Sequence, residues 1–473
     1  MRRAVSVLTL AFFMATSPRS FGAETLEVGL GAEDITPEIK PGKPVYIAGY
    51  GQNRLATGVH DPLFARAVVF RAGDAKVAVV SVDLVGLQYP AVQRIREKLD
   101  GFTYVLVSST HTHEGPDVIG IWGESPLKSG LDPEYIMQVE NGVVNAVRKA
   151  DSAAAPAVAE YGTATDESLL RDSRVPIVYD GVIRVLKFKH AETKKPLGIL
   201  VQWNNHPEAM GSENTLITCD FPWATIAALE KKYQCPVAYF TGTVGGLMTT
   251  LRTIKDPETG KELHEENFEY TEVYGKMVAS LAEKAMGQAQ PINLTPIRVS
   301  TKQVGVPLSN LAYHLMWSMN VLPRDAYEWT GDANKVGPPI NRKGGKKGVK
   351  GALLTEVSYI RLGDLHIAGI PGEIYPEIVY GKYQEPVEPN VDFPDAPLET
   401  PVVKVLPGDK IMLFGLANDE VGYILPKRQW DSKPPFAYGR KEQQYGEVNS
   451  VGPETGPILM KALEDAVDAV KEK

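Results

Sequence analysis

The stretch "TYVLVSSTHTHEGPD", residues 103–117, runs from an apolar segment directly into two histidines. Its apolar half is nearly continuous and contains β-branched residues, which predicts a strand covered on both faces. Five other apolar runs are predicted as strands in the same way: 76–83, 197–205, 236–242, 365–372 and 410–418. Helical periodicity marks four further stretches: 133–150, 223–233, 272–289 and 453–472. Strands that alternate with helices predict an α/β fold, in which a β-sheet core of mixed strands is flanked by helices.

Four of the predicted strands are followed by ionisable residues just beyond their carboxyl ends. These residues are His111 with His113, His206, Glu373 and Tyr423. Ligands of α/β proteins collect in the crevice at this edge of the sheet. Imidazole nitrogens and carboxylate oxygens are ligands that Zn²⁺ takes in proteins. The pattern therefore predicts a metal site at the strand ends, where one histidine of the "HTH" pair binds the ion and the other lies behind it or transfers protons.

Each of these residues also has an ordinary structural interpretation when it is taken alone. A single histidine after a strand, such as His206, is often only hydrogen-bonded within the core. Glu373 could begin a helix, where a carboxylate is favourable, and Tyr423 could be a core or surface residue. Only the joint pattern favours a metal site.

The composition limits the class of protein. The chain has 473 residues, a formal net charge of −8 and 43% hydrophobic residues, which is enough for one large domain or two ordinary ones. This mild acidity argues against a nucleic-acid-binding protein, which would carry a concentrated basic face. Residues 1–23 combine a basic start with a short apolar run and predict a signal peptide, so we expect export to the periplasm or beyond.

Two features of the remaining chain bear on export. No later apolar run reaches the ~20 residues of a membrane-spanning helix, so no transmembrane segment is expected after residue 23. The chain has two cysteines, Cys219 and Cys235. We predict that they are small buried core residues, although export would permit a disulfide between them.

Two segments look like long insertions, at 251–271 and 308–350. Loops of this length in a compact domain are usually functional or mobile. The basic residues that end the second segment are predicted to form a solvated loop: Arg342, Lys343, Lys346, Lys347 and Lys350. The functional alternative is a lid over the site, with Met316, Trp317 and Met319 on its apolar face.

Three motifs in this order resemble those of a known family, the neutral (non-lysosomal) ceramidases. They are "HDPLFARA" (60–67), "THTHEGPD" (110–117) and "GLANDEVGY" (415–423). The resemblance extends over nearly the whole chain after the predicted signal peptide. It implies a ceramidase-like catalytic domain over 24–473, without the C-terminal β-sandwich domain of full-length ceramidases.

The resemblance also implies a set of site residues. In this family two histidines, a glutamate and a tyrosine hold one zinc ion. The corresponding residues here are His111, His206, Glu373 and Tyr423. His113 takes the family's place beside the substrate, and Zn²⁺ is the implied cofactor.

Two further residues match family motifs less closely. Arg174 lies in "SRVP" (173–176) and Tyr445 in "YGEVNS" (445–450). The resemblance implies that they stabilise an oxyanion or hold a polar head group. Glu114 and Asp117, which follow the "HTH" pair, are then interpreted as turn residues.

One loop departs from the family pattern. Ceramidases carry a serine that is needed for activity, and the corresponding loop here is "TVGGLMT" (243–249). Met248 stands at the serine position and Gly246 at that of an aspartate. A thioether can neither donate a hydrogen bond nor act as a hydroxyl nucleophile. The change therefore predicts a different substrate, although the loop also has a purely structural interpretation as a strand-to-helix turn.

Three functional hypotheses follow from the sequence. The leading one is an exported zinc hydrolase that cleaves an amide or related acyl bond of a small-molecule or lipid-like substrate by metal-activated water. Contact with a membrane surface and the oligomeric state are left open. The second is a zinc hydrolase or lyase that acts on a small or sugar-like polar compound. The third is a non-catalytic metal- or lipid-binding homologue.

Overall fold

Two β-sheets stacked face to face form the centre of the fold in a computed structural model, which describes residues 24–246, 248–342 and 350–471. The predicted signal peptide, 1–23, lies outside these residues. The strands of the described residues are β1 (Glu27–Asp34), β2 (Gly58–Val59), β3 (Phe64–Ala72), β4 (Ala75–Val82), β5 (Tyr104–Ser109), β6 (Ala155–Thr165), β7 (Val182–His190), β8 (Pro196–Trp203), β9 (Leu216–Ile217), β10 (Val237–Thr241), β11 (Thr253–Lys255), β12 (Glu262–His264), β13 (Gln290–Ile292), β14 (Ile297–Pro307), β15 (Tyr327–Glu328), β16 (Gly351–Leu362), β17 (Leu365–Gly369), β18 (Glu373–Ile374), β19 (Ile411–Phe414) and β20 (Tyr423–Ile424).

The helices lie mainly outside this pair of sheets. The α-helices of the described residues are α1 (Tyr89–Glu97), α2 (Pro133–Ser152), α3 (Phe221–Tyr233), α4 (Phe268–Gly287), α5 (Leu311–Ser318), α6 (Pro376–Tyr380), α7 (Val402–Val405), α8 (Tyr445–Val448) and α9 (Thr455–Lys471). Helix α2 starts where Asp132 accepts a hydrogen bond from the Glu134 amide and Pro133 fixes the first helical φ. Asn267 caps α4 in the same way.

The larger sheet has nine strands in the order β10-β8-β7-β6-β1-β3-β4-β5, with β13 paired to β6. The smaller has the order β14-β16-β17-β19, with β15 paired to β16. Their inner faces share one apolar cluster, in which Phe240 of β10 stacks on Phe414 of β19 with ring centroids 4.3 Å apart. Helices α2, α3 and α4 cover the outer face of the larger sheet, and α9 covers that of the smaller. The sheets are therefore buried on both faces by helices and by each other.

The predicted α/β fold with mixed strands is confirmed. All six predicted strands are present as β4, β5, β8, β10, β17 and β19. They form three parallel pairs, β4 with β5, β8 with β10 and β17 with β19, inside otherwise antiparallel sheets. Residues of β5, β10, β17 and β19 are buried throughout, as their continuous hydrophobicity indicates. The loops that follow the carboxyl ends of these parallel pairs run toward one region of the molecule, which contains the candidate site.

The two segments interpreted as insertions contain regular structure. Residues 251–271 include the β11–β12 hairpin, and 308–350 include α5 and β15. Arg342, predicted in a solvated loop, instead lies over Trp317 with its guanidinium carbon 5.3 Å from the ring centroid. The prediction is therefore wrong for Arg342, because a planar guanidinium stacks well on an indole. Lys350 is exposed, as predicted, and 343–349 lie outside the described residues.

Cys219 and Cys235 are both buried and both free. This confirms the prediction that they are core residues, and they do not form a disulfide. A search of the described helices finds none with the length and apolar character that a bilayer crossing requires.

Candidate metal centre

His111 follows β5 in an unusual backbone conformation. Its φ is 71°, in the left-handed region that non-glycine residues rarely adopt. The amide of His111 donates to Leu84 O at 2.9 Å, and its Nδ1 donates to Val85 O at 2.5 Å. The carbonyl holds the proton on Nδ1, so Nε2 faces the site. Backbone strain of this kind clusters at functional sites.

His206 follows β8 and is held by the loop that carries Met248. Both the amide and Nδ1 of His206 donate to Met248 O, at 2.9 Å and 2.8 Å. A hydrogen bond from the outer ring nitrogen fixes the tautomer and orientation of a metal-ligating histidine. Nε2 of His206 is thereby turned toward the same point as Nε2 of His111.

Glu373 and Tyr423 reach this point together, because β18 and β20 pair in parallel with these two residues as Cα partners. Glu373 Oε2 lies 2.9 Å from His206 Nε2 and 3.3 Å from His111 Nε2. The Tyr423 hydroxyl lies 3.3 Å from His206 Nε2. All four predicted metal ligands therefore converge, from four different chain segments, and all are buried.

The arrangement demands a positive charge at its centre. The Nδ1 protons of His111 and His206 are committed to backbone carbonyls, so neutral rings would present only lone pairs to the Glu373 carboxylate. Burial opposes protonation of His206, but the hydrogen bond and the charge of Glu373 outweigh it and raise the pKa of His206 to about 9. Two imidazole nitrogens and a carboxylate oxygen are ligands that Zn²⁺ takes in proteins, and the Tyr423 hydroxyl adds a fourth, less common oxygen ligand. The residues present therefore fit a zinc ion.

His113 lies beside this group. Its Nε2 is 3.4 Å from His111 Nε2. One ring nitrogen from each of His111, His113 and His206 can be chosen so that all three lie within 4.8 Å of one another. On its other side, Nδ1 is 3.5 Å from Glu208 Oε2, and the Tyr50 ring meets the imidazole edge-on. Burial and the neighbouring histidines hold the pKa of His113 well below its ordinary value. His113 is thus a neutral base next to the predicted metal ligands.

Two acidic residues after the "HTH" pair have different roles. Asp117 is a turn residue, as predicted, since its carboxylate accepts from the amides of Ile119, Gly120 and Trp122. Glu114 also lies in a turn, as predicted, and its side chain is buried in an ion pair with Arg54 at 3.3 Å. The same guanidinium donates to the carbonyl of His113. Glu114 therefore anchors the arginine that holds the His113 backbone.

Tyr445 and Arg174 lie at different depths. Tyr445 is 54% exposed, lines the cavity described below, and has its ring 5.9 Å from that of Tyr423. Arg174 is 1% exposed and donates to Glu447 Oε1 at 2.7 Å and to backbone carbonyls, and it does not line the cavity. Because Tyr445 and Glu447 both belong to α8, Arg174 anchors the helix that carries Tyr445. The structure does not bring Arg174 to the site directly.

One cavity opens onto His111, His113, Glu373 and Tyr423. Its apolar walls include Val85, Ile119, Ile121, Trp122, Leu353 and Val451. The segment 308–350 closes one side with Tyr313 and Leu322. The residues of the alternative lid interpretation, Met316, Trp317 and Met319, are not among the lining residues. Trp317 is instead buried and donates to Arg324 O at 2.9 Å. The segment does border the site, but with other side chains.

Met248 contributes its backbone to the site and its side chain to the core. The side chain is fully buried in the apolar cluster beneath α3 and α4, where Sδ accepts from the Asp180 amide at 3.4 Å. We expect Met248→Ala to lower the free energy of unfolding by about 2–5 kcal/mol, because it removes a buried side chain and leaves a cavity. Metal content should be unchanged, since the carbonyl that holds His206 is retained.

Urea denaturation of the wild type and of Met248→Ala measures this effect. Met319→Ala is the matched control, because Met319 is 46% exposed and should change stability by less than about 0.5 kcal/mol. Equal stabilities of the two variants would contradict a structural role for the Met248 side chain.

Comparison with known proteins shows which family and which solved structures the chain is similar to. The family described as "Neutral/alkaline non-lysosomal ceramidase, N-terminal" matches residues 26–304. The neutral ceramidase of Mycobacterium tuberculosis (strain ATCC 25618 / H37Rv) is 33% identical over 145 residues, which span 28% of this chain and 22% of that protein. The crystal structure of neutral ceramidase from Pseudomonas aeruginosa superposes with a TM-score of 0.70 at 18% identity, over 95% of this chain and 75% of that one. A ceramidase complexed with C2 has a TM-score of 0.68, also at 18% identity, over 95% of this chain and 76% of that one.

Proposed function

The chain belongs to the neutral/alkaline non-lysosomal ceramidase family, and from this premise we propose that it is a zinc-dependent hydrolase of an amide or related acyl bond. The family supports the reaction class. The apolar walls of the cavity support a substrate with a hydrocarbon part, because ligand pockets bury most of what they bind. From the sequence of residues 1–23 we further propose that the protein is exported before it acts.

The single observation that carries this proposal is the convergence of His111, His206, Glu373 and Tyr423 on one point. These four side chains would hold the ion. When bound, Zn²⁺ supplies Lewis acidity and makes water acidic enough to yield hydroxide near neutral pH. The reaction then needs a group that takes up a proton and a group that stabilises negative charge on the substrate.

We assign these two tasks to His113 and Tyr445. His113 is neutral and adjacent to the metal ligands, so it can accept a proton during attack and return it to the leaving amine. Glu208, at 3.5 Å from Nδ1, would stabilise the imidazolium that forms. The Tyr445 hydroxyl, at the cavity and near Tyr423, would donate to the developing oxyanion.

Removal of the metal is expected to abolish hydrolysis, and addition of Zn²⁺ is expected to restore it. The measurement is release of fatty acid from N-acyl lipids by purified protein of known zinc content, before and after chelation. Small polar and sugar-like compounds should be included in the panel, because turnover of these alone would favour the second sequence-based hypothesis. Turnover that survives chelation in zinc-free protein would contradict the proposal.

A further inference from the structure

The apolar cavity contains two charged residues that the proposed reaction does not use, Glu420 and Arg324. Glu420 lies in the motif that ends in Tyr423, and Arg324 comes from the segment 308–350 that closes one side of the cavity. Charged side chains are expensive to bury unless they have partners. Their presence beside Ile119 and Leu322 therefore needs an explanation.

Arg324 is fixed by a partner other than Glu420. Its two terminal nitrogens bond the two carboxylate oxygens of Asp419, each at 2.8 Å, and one also donates to Leu354 O at 3.1 Å. Arg324 is 4% exposed and Asp419 is fully buried. Nε of Arg324 is buried and, among the described residues, has no hydrogen-bond partner. One donor of a rigid guanidinium thus stays unused.

Glu420 is held equally firmly. Its Oε1 accepts from the Gly422 amide at 2.6 Å. Its stem packs against Gly86, where an added Cβ would lie 2.7 Å from Glu420 Cβ. The second oxygen, Oε2, is buried and without a partner in the described part of the chain.

We propose that Glu420 and Arg324 form a polar subsite, which binds a substrate group that both donates and accepts hydrogen bonds, such as a hydroxyl or a carboxamide. Oε2 of Glu420 and Nε of Arg324 supply the two complementary atoms, inside a cavity whose other walls are apolar. A purely hydrocarbon chain would leave both atoms buried and unpaired, which is costly. The inference rests on the proposed function in one respect: it assumes that this group belongs to the substrate that binds in the same cavity.

The test compares matched N-acyl amines that differ only in one hydroxyl, scanned along the amine part and the acyl part. For the wild type we expect kcat/KM to be about 10- to 100-fold higher for at least one hydroxylated compound than for its deoxy partner. Glu420→Leu should reduce this preference to within about 3-fold. Glu420→Gln should also weaken it, because its one oxygen is needed by the Gly422 amide and its NH2 group then presents a donor where Oε2 presents an acceptor. Glu420→Ala repeats the test if the leucine variant does not fold.

Equilibrium binding separates this inference from the proposed hydrolysis. Zinc-loaded protein is titrated with non-hydrolysable amino alcohols and with the matching alkylamines, and the ratio of their Kd values is compared across the same variants. Glu262→Gln, at a side chain that is 73% exposed, is the matched control. A binding preference that disappears in Glu420→Leu supports the subsite even if no amide is hydrolysed. Equal preferences in wild type and Glu420→Leu, or no preference in either measurement, would overturn it.

Discussion

Glu373→Gln is expected to release the metal and to lower kcat/KM for an N-acyl substrate on the order of 10³-fold or more. Glu373 Oε2 lies within 3.3 Å of both His111 Nε2 and His206 Nε2. Glutamine keeps the size of the side chain but removes the negative charge that makes this pocket attractive to a cation. The fold should persist, because the backbone pairing of β18 with β20 does not depend on the carboxylate.

The matched control is Glu377→Gln, four positions further along the chain. Glu377 is also buried, but it accepts from Gln429 Nε2 and takes no part in the metal-binding group. Zinc per chain, measured by plasma mass spectrometry, and kcat/KM should both stay near wild type in this control. If Glu373→Gln kept stoichiometric zinc and full activity, Glu373 could not be a ligand.

The strands could be predicted from the sequence because their burial on both faces leaves a local signature. A run such as 76–83 is apolar at successive positions, and in the structure it is β4, paired in parallel with β5. Parallel pairing then brings the residues that follow β5, β8 and β17 to one edge, which is why local patterns sufficed to propose a metal site. Glu373 and Tyr423 are paired by two short strands, β18 and β20. Strands this short leave no recognisable pattern in the sequence, so this pairing could not be predicted.

The supporting residues could not be predicted, because their partners are far apart in the chain. Arg54 contacts Glu114 and the His113 carbonyl, and nothing in the sequence near residue 54 indicates this. Arg174 and Glu447 are 273 positions apart in the chain, and their ion pair turns an expected substrate contact into an anchor for α8. Glu208 was the one supporting residue with a local signal, since it lies two positions after His206.

The last prediction concerns the second histidine of "HTH". His113→Gln is expected to lower kcat about 10²- to 10⁴-fold, the usual contribution of general acid–base catalysis, while zinc content stays at one ion per chain. Glutamine can still hydrogen bond, but it cannot take up a proton at neutral pH. KM should change little, since the apolar walls of the cavity are untouched.

The same variant decides between two roles that the geometry allows. The ring nitrogens of His113 belong to the set with His111 and His206 that could hold an ion, so His113 could also be a ligand. If His113→Gln loses zinc as Glu373→Gln does, His113 binds the metal and another group must move the proton. Glu208→Gln sharpens the distinction. Removal of its charge should lower kcat by a smaller factor and leave zinc in place, because Glu208 contacts His113 Nδ1 and is not one of the predicted metal ligands.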